Sequence, residues 1–516
     1  MPDRVKIFDT TLRDGEQSAS VSFTNDEKFQ IAKMLEKLNV DCIEAGFAAA
    51  SPADFDAVAR IANEVRGTSI ASLCRAVPND VEQGWAAIQG AEDPRLHVFI
   101  SSSDIHIAHQ LRSGREEVLQ QAREMVAKAK GYVSNVEFSP MDATRSDPDF
   151  TYRLLSECIA AGATTINIPD TVGYAIPEEF AEFINGIFQN VKGIDNVTLS
   201  VHCHNDLGLS TANSLAAAAI GARQIECTIN GIGERAGNAS LEEIVMGIKT
   251  RPDFLDVECG INTEHLVPLS RMVADYSGMH VQPNKAIVGL NAFRHQSGIH
   301  QDGVVKLREN FEIMDPKAVG WSEGSQFVLS KLSGRAGFKA RIEDLGYELD
   351  TEELASAFLK FQELADKKTV VDDRDLEAIM SDRLGHVAEA WHLESLNVTT
   401  GTSATPTASI TLRGPDGRTH TAAETGTGPV DAVYRTIRQI TGMQDRLVEF
   451  SVQSITEGVD AQGEVTIRID IDDSTYTGRA SDTDILVASA QAYMNAINRY
   501  HQGAVKATRA STSLTE

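Results

Sequence analysis

Residues 1–250 repeat one pattern: a short β-branched run, a polar turn, then a stretch of helical periodicity. The candidate strands are Val5–Asp9, Asp41–Phe47, Ser69–Ala76, Leu96–Ser102, Asn135–Ser139, Thr164–Pro169, Thr198–His204 and Gln224–Asn230. Candidate helices follow them, among them Asn25–Leu38, Ala53–Val65, Arg115–Lys130 and Ser210–Ala219. Eight such units at a spacing of roughly 30 residues match the size of a closed (β/α)8 TIM barrel. Their regularity favours closure over an open doubly wound sheet.

Strand signals nearly vanish after residue 250, and amphipathic helical stretches such as Thr351–Asp366 and Asp373–Arg383 replace them. Among these, Ala286–Gly303 (AIVGLNAFRHQSGIHQDG) is rich in Gly, Asn, His and Gln and reads as a loop that carries chemistry. Residues 391–516 change again: Thr, Ser and Gly cluster at Thr399–Ser409, and alternating strands then appear, beginning with TASITLRG and RTHTAAETG. There DGRTHTAAETGTGPVDAVYRTI mirrors DDSTYTGRASDTDILVASAQAYM, an internal repeat of strands followed by a helix. The chain therefore divides into an α/β catalytic barrel over 1–270, a helical linker over 271–390 and a C-terminal α+β domain over 391–516. A duplicated unit appended to a barrel reads as a regulatory or oligomerisation module. The last dozen residues read as frayed.

Charge limits the partners. Lys and Arg number 47 against 74 Asp and Glu, a net charge of −27, which argues against nucleic acid. An anionic ligand must then be held by a local basic or metal site, against the global field. No run approaches the roughly 18 unbroken apolar residues of a membrane helix. The start MPDRVKIFDTTLRDG has no apolar signal core, so a cytoplasmic location is expected. The cysteines at 42, 74, 158, 203, 227 and 259 include no CxxC pair, which fits a reducing compartment and small core residues.

Barrel chemistry sits where strands end. DTTLRDGEQS after the first strand crowds Asp9, Arg13, Asp14 and Glu16 at one mouth, where a plain charged turn is the alternative. The seventh strand ends VHCHND, and alternation points His202 and His204 the same way, into the barrel or its mouth. Paired imidazoles are poor core filler but natural ligands for a divalent metal. After the eighth strand, NGIGERAGNAS offers glycines 231, 233 and 237 for close backbone approach and Asn238 for a carbonyl oxygen. Asp14, His202, His204 and Asn238 would form a mixed N/O set suited to Mn²⁺, Mg²⁺ or Zn²⁺. A phosphate-binding loop is the rival reading of 230–240. Ser139, Asn167 and Thr171 are small polar groups at or near other strand mouths and could hydrogen-bond an organic acid, turn and cap chemistry being the alternative, while His97 stands near the start of the fourth strand.

DTTLRDGEQ, INIPDTVGY, HCHNDLGLSTANS, NGIGERAGN and SGIHQDG, in this order, resemble the 2-isopropylmalate synthase family over essentially the whole chain. The wider superfamily takes in homocitrate synthase, citramalate synthase and hydroxymethylglutaryl-CoA lyase. The resemblance implies a Claisen-type condensation of acetyl-CoA with 3-methyl-2-oxobutanoate, giving 2-isopropylmalate and CoA, the first committed step of leucine biosynthesis. It implies a divalent metal on Asp14, His202, His204 and Asn238, with a monovalent cation such as K⁺ as a further candidate. It gives Arg13 the developing alkoxide, and His97, Ser139, Asn167 and Thr171 the oxo acid. It makes His300 the base, supplied by the linker of a partner subunit in a homodimer or homotetramer. Leucine is implied as the feedback effector on the C-terminal repeat. One departure stands out: related enzymes carry a Glu in a Ser-x-Glu-Asp pattern after the fifth strand, where this chain has Met141 followed by Asp142. A catalytic Glu is not carried over, and Glu137 and Asp142 are the nearby acids.

Three other functions are weighed against this one. A citramalate or homocitrate synthase shares the motifs, but the homocitrate reaction needs a cation for a distal carboxylate, for which only His97 offers itself. A lyase would not need the C-terminal repeat. A non-catalytic sensor would tolerate loss of the metal set, and all four ligands are present.

Overall fold

The computed structural model describes residues 3–322, 326–345, 347, 349–366, 371, 373, 375–376, 379–380, 390–454, 463–472 and 474–512. Eight parallel strands close a barrel in sequence order. They are β1 (Lys6–Asp9), β2 (Cys42–Gly46), β3 (Ser69–Arg75), β4 (Pro94–Ser101), β5 (Asn135–Met141), β6 (Thr165–Asp170), β7 (Thr198–Cys203) and β8 (Gln224–Cys227). Closure is the β1–β8 register, Lys6 opposite Gln224 through Asp9 opposite Cys227. The helices between them are α1 (Asn25–Leu38), α2 (Pro52–Glu64), α3 (Pro78–Ile88), α4 (Arg115–Tyr132), α5 (Pro148–Ala161), α6 (Pro177–Asn190), α7 (Ser210–Ala219) and, after β8, α8 (Leu241–Thr250).

Local chemistry sets the helix ends. Thr24 and Glu27 form a reciprocal capping box at the start of α1, and Asn39 closes it in the left-handed region. Four of the eight helices start with Pro at the first position, where its missing N–H costs nothing and its φ is already helical. Eight-strand closure agrees with the sequence, but β8 stops at Cys227 rather than at Asn230. Residues Ile229–Gly231 turn instead, with Asn230 at φ 61°.

Alternation along the strands separates two environments. Outward side chains such as Leu96, Val98, Val136, Phe138, Ile166, Ile168, Leu199 and Val201 are buried in the main hydrophobic core. Inward positions are largely polar. Arg95 on β4 reaches Glu137 on β5 at 2.9 Å and crosses the lumen to Gln224 on β8 at 2.8 Å. Phe8, Cys42 and Ala71 form a separate small apolar cluster among these strands. Barrel interiors are usually filled by bulky branched residues, so this lumen is unusual in its charge content.

Two compact units are distinguished: Met1–Arg294 with Phe311–Gln326, and His295–Asn310 with Phe327–Glu516. The first adds α9 (Leu266–Ser277) to the barrel, and Val288, Phe293 and Val319 also join its core. The second contains α10 (Gly298–Lys306), α11 (Arg335–Asp344) and α12 (Thr351–Ala365), with a core around Phe338, Phe358 and Phe361. The expected helix Asp373–Arg383 lies partly outside the described residues.

The C-terminal repeat is literal. Strands β9 (His392–Gly401), β10 (Ala404–Arg413) and β11 (Thr419–Thr425) form an antiparallel sheet followed by α13 (Pro429–Thr441). Strands β12 (Arg446–Ser454), β13 (Gly463–Ile471) and β14 (Ser474–Asp482) repeat this and are followed by α14 (Ile485–Thr512). The backbone is thus helical to Thr512, where fraying was expected. Both halves share one core, in which Tyr434 and Tyr493 lie 4.7 Å apart. Among the described residues, no helix is long and apolar enough to cross a membrane.

Candidate metal and substrate site

His202 on β7 and His204 just beyond its end point into the lumen, as alternation requires. Their Nε2 atoms are 3.1 Å apart, and Asp14 Oδ2, one turn beyond β1, is 3.2 Å from the first and 3.4 Å from the second. All three residues are buried. Two donors held about 2.1 Å from one cation, at tetrahedral or octahedral angles, lie roughly 3.0–3.4 Å apart. The triangle fits a divalent ion of that size.

Asn238 completes the neighbourhood. Its backbone bridges to His204, its Nδ2 donates to Ile232 O at 3.1 Å, and its buried Oδ1 has no hydrogen-bond partner. Gly233 makes this possible, because a Cβ there would lie 2.1 Å from Asn238 Nδ2. A partnerless buried carbonyl beside two imidazoles and a carboxylate is the donor chemistry of a mixed N/O metal site. Burial acts to raise the Asp14 carboxyl, but Arg13 and the two histidines hold it well below the usual carboxylate range. It is therefore ionised, as a ligand must be.

A second network runs beside the triangle. The Arg13 guanidinium is 3.3 Å from Asp14 Oδ2 and donates through Nε to Glu44 Oε2 at 2.5 Å. Glu44 also accepts from Thr10 Oγ1 at 2.7 Å and faces His97 Nδ1 at 2.7 Å. His97 Nε2 meets Ser139 Oγ at 2.6 Å, and Asn167 Nδ2 donates to that same oxygen at 2.9 Å. Burial pushes the Glu44 carboxyl up, but Arg13 and His97 pull it down to about 2. The chain Arg13–Glu44–His97–Ser139–Asn167 thus joins four residues expected from the sequence through one that was not.

Other expected residues are placed differently. Thr171 lies one position past β6, and its hydroxyl accepts the Asp142 N–H at 2.9 Å. Asp142 is clamped by Arg145 through two bonds of 2.8 Å. Glu137 is held by Arg95 and by Gln224, at 2.9 and 2.7 Å. Each of the two acids near Met141 therefore already has a cationic partner. His300 lies in the first turn of α10, in the second compact unit, so the expected chemical loop is partly helical. The helix forms because Gln301 is fully buried and donates to His295 O at 2.9 Å, while Gly298 packs against Gly334. His300 is exposed, and its ring centre is 6.2 Å from that of His295.

Among the buried acids that escaped the sequence reading, two line this lumen beside the expected residues: Glu44 on β2, and Glu226 on β8, whose Oε2 is 2.8 Å from His202 Nδ1. The available signal was a carboxylate at an inward position of a strand whose neighbours are apolar, as in Ile43-Glu44-Ala45 and Ile225-Glu226-Cys227.

Residues 4–273 match the HMGL-like family, residues 287–369 the homocitrate synthase post-HMGL domain-like family, and residues 370–501 the LeuA allosteric (dimerisation) domain. The 2-isopropylmalate synthase of Gloeobacter violaceus is 56% identical over 513 residues, spanning 97% of this chain and 95% of its own. That of Thermosynechococcus vestitus is 54% identical over 516 residues, covering 97% and 96%. That of Ruminiclostridium cellulolyticum is 50% identical over 499 residues, covering 97% and 98%. A solved Bacillus subtilis HMG-CoA lyase aligns with a TM-score of 0.47 at 20% identity, over 54% of this chain and 96% of its own.

Proposed function

The chain belongs to the 2-isopropylmalate synthase family, and from that premise we propose how its own residues carry the reaction. The enzyme is an acyltransferase that condenses acetyl-CoA with 3-methyl-2-oxobutanoate and releases 2-isopropylmalate and CoA. The observation that carries the residue assignment is the donor triangle of Asp14, His202 and His204 with Arg13 at its edge.

Asp14, His202, His204 and Asn238 would hold a divalent cation, Mn²⁺ or Mg²⁺ by donor type, with Zn²⁺ also compatible. Such a cation supplies Lewis acidity at a keto oxygen. Arg13 is fixed by Glu44 and Asp14, so its guanidinium is preorganised for the oxyanion that forms when the keto carbon is attacked. His97, Ser139, Asn167 and Thr171 hydrogen-bond the oxo acid. His97 is already paired with Glu44, so it offers no surplus positive charge for a second carboxylate. That supports a monocarboxylic oxo acid over 2-oxoglutarate. His300 of the partner subunit takes the proton from the acetyl methyl group. The duplicated C-terminal domain binds leucine as inhibitor, in a cytoplasmic homodimer or homotetramer.

Release of CoA thiol is the test, measured with several 2-oxo acids before and after chelation. Turnover is expected with 3-methyl-2-oxobutanoate above pyruvate and 2-oxoglutarate, lost on chelation and restored by Mn²⁺ or Mg²⁺. Full activity after rigorous chelation would overturn the metal assignment.

A further inference from the structure

Three loops of the barrel mouth meet at Arg235, in the loop after β8. Its Nε and Nη2 donate to the two carboxylate oxygens of Asp206, beyond β7, at 2.8 and 2.9 Å. Nη2 also donates to the carbonyl oxygen of Thr171, one position past β6, at 2.7 Å. The backbone of Arg235 is left-handed, at φ 56°, a conformation that side chains with a Cβ hold only where the surroundings fix it. The same loops interlock through main chain: Asn205 N donates to Gly237 O at 2.8 Å, and Leu207 N to Gly173 O at 3.2 Å. Gly173 approaches Asp206 so closely that a Cβ there would lie 2.5 Å from Oδ2 and 2.7 Å from the backbone N. An isolated ion pair at a surface contributes little, but a bidentate guanidinium that also holds a third acceptor fixes geometry.

We propose that Arg235 is a positioning residue for the oxo acid: gripped by Asp206, it holds the Thr171 carbonyl and with it the strand end that presents the Thr171 hydroxyl. This rests on the reading of Thr171 as an oxo-acid ligand. The hydroxyl accepts the Asp142 N–H at 2.9 Å, which leaves its own proton to donate. Thr171 is thus held from two sides, its side chain by Asp142 beyond β5 and its main chain by Arg235 beyond β8. Removing Arg235 leaves only the first of these ties from a neighbouring loop. The role of Arg235 is to place a donor, not to attract an anion, because the Asp206 carboxylate at bonding distance offsets its charge.

The test measures KM for 3-methyl-2-oxobutanoate at saturating acetyl-CoA and Mn²⁺ in the full-length protein. It compares wild type with Arg235→Ala, Asp206→Ala, the double variant and Thr171→Val. One hydrogen bond to a charged group is worth about 10–100-fold in affinity. Arg235→Ala and Asp206→Ala should each raise this KM by about 10-fold, the low end of that range. kcat and the KM for acetyl-CoA should change much less, and the calorimetric Kd for the oxo acid should rise in step. The double variant should be no worse than either single one, because both break the same latch. An arginine that acts by charge alone gives the opposite sign for Asp206→Ala, which frees the cation and lowers KM. That result, multiplying effects in the double variant, or an unchanged KM in Arg235→Ala would overturn this inference; a raised KM in Thr171→Val would then leave the reading of Thr171 intact. An unchanged KM in Thr171→Val would overturn that reading and this inference together. Should Asp206→Ala fail to fold, Asp206→Asn, isosteric and uncharged, gives the same test of sign.

Discussion

At the level of single residues, the barrel lumen is a set of buried charges whose partners decide their state. Asp9, at the end of β1, shows the opposite case from Asp14. Burial pushes its carboxyl from an ordinary 3.8 up to about 7, opposed by the Thr11 N–H and hydroxyl and assisted by Glu242 and Glu44. A carboxyl whose pKa is raised on folding binds more protons in the folded state between those two values. Stability from this group is therefore present below about pH 4 and lost as pH rises through about 7. Asp9→Asn should remove that slope: relative to wild type, its melting temperature should gain more at pH 8 than at pH 5, read by calorimetry at both. An equal offset at the two pH values would show that Asp9 does not titrate there. The four proposed metal ligands were legible because a His-x-His on a strand and an Asp and Asn at neighbouring loop ends each make a local pattern. Glu44 and Glu226 were not, because an isolated Glu in a strand has meaning only once closure shows which face looks inward.

At the level of elements, the period-2 and period-3.6 patterns placed all eight barrel strands and their order. The misses lie at ends, where backbone geometry rather than apolar pattern decides, as at Asn230. The helix carrying His300 was missed because its buried face is one polar residue, Gln301, whose amide satisfies the backbone of a neighbouring turn. Apolar periodicity cannot report such a helix. In the repeat, close approach of β14 to α14 depends on Gly478, where a Cβ would lie 1.9 Å from Ala492 O and 2.6 Å from Ala496 N. Those neighbours are backbone and cannot rotate aside. Gly478→Ala should therefore force the strand off the helix and destabilise the C-terminal domain by about 1–3 kcal/mol or more, the usual cost of overpacking. Thermal unfolding of the full chain should show its C-terminal transition lowered and the barrel transition in place. Inhibition by leucine should weaken in parallel, since both halves of the repeat share one core.

At the level of the whole molecule, the metal triangle and Arg13 belong to one compact unit and His300 to the other. The proposed reaction gives a role to residues of each. If the base comes from the partner subunit, Arg13→Ala damages the barrel's site and His300→Ala damages the site next door. Each alone should be nearly inactive: loss of an oxyanion-stabilising donor costs about 10²–10³-fold in kcat, and loss of a general base about 10²–10⁴-fold. Mixing the two variants under conditions that exchange subunits forms heterodimers in which one of the two sites has an intact Arg13 and an intact His300. Activity should then return, up to about half of wild type per heterodimer if sites act independently, well above either parent. Mass measurement confirms the exchange. Exchange without recovered turnover would place His300 and Arg13 in the same chain's site, or give His300 another role; the metal assignment, which involves one unit only, would stand either way.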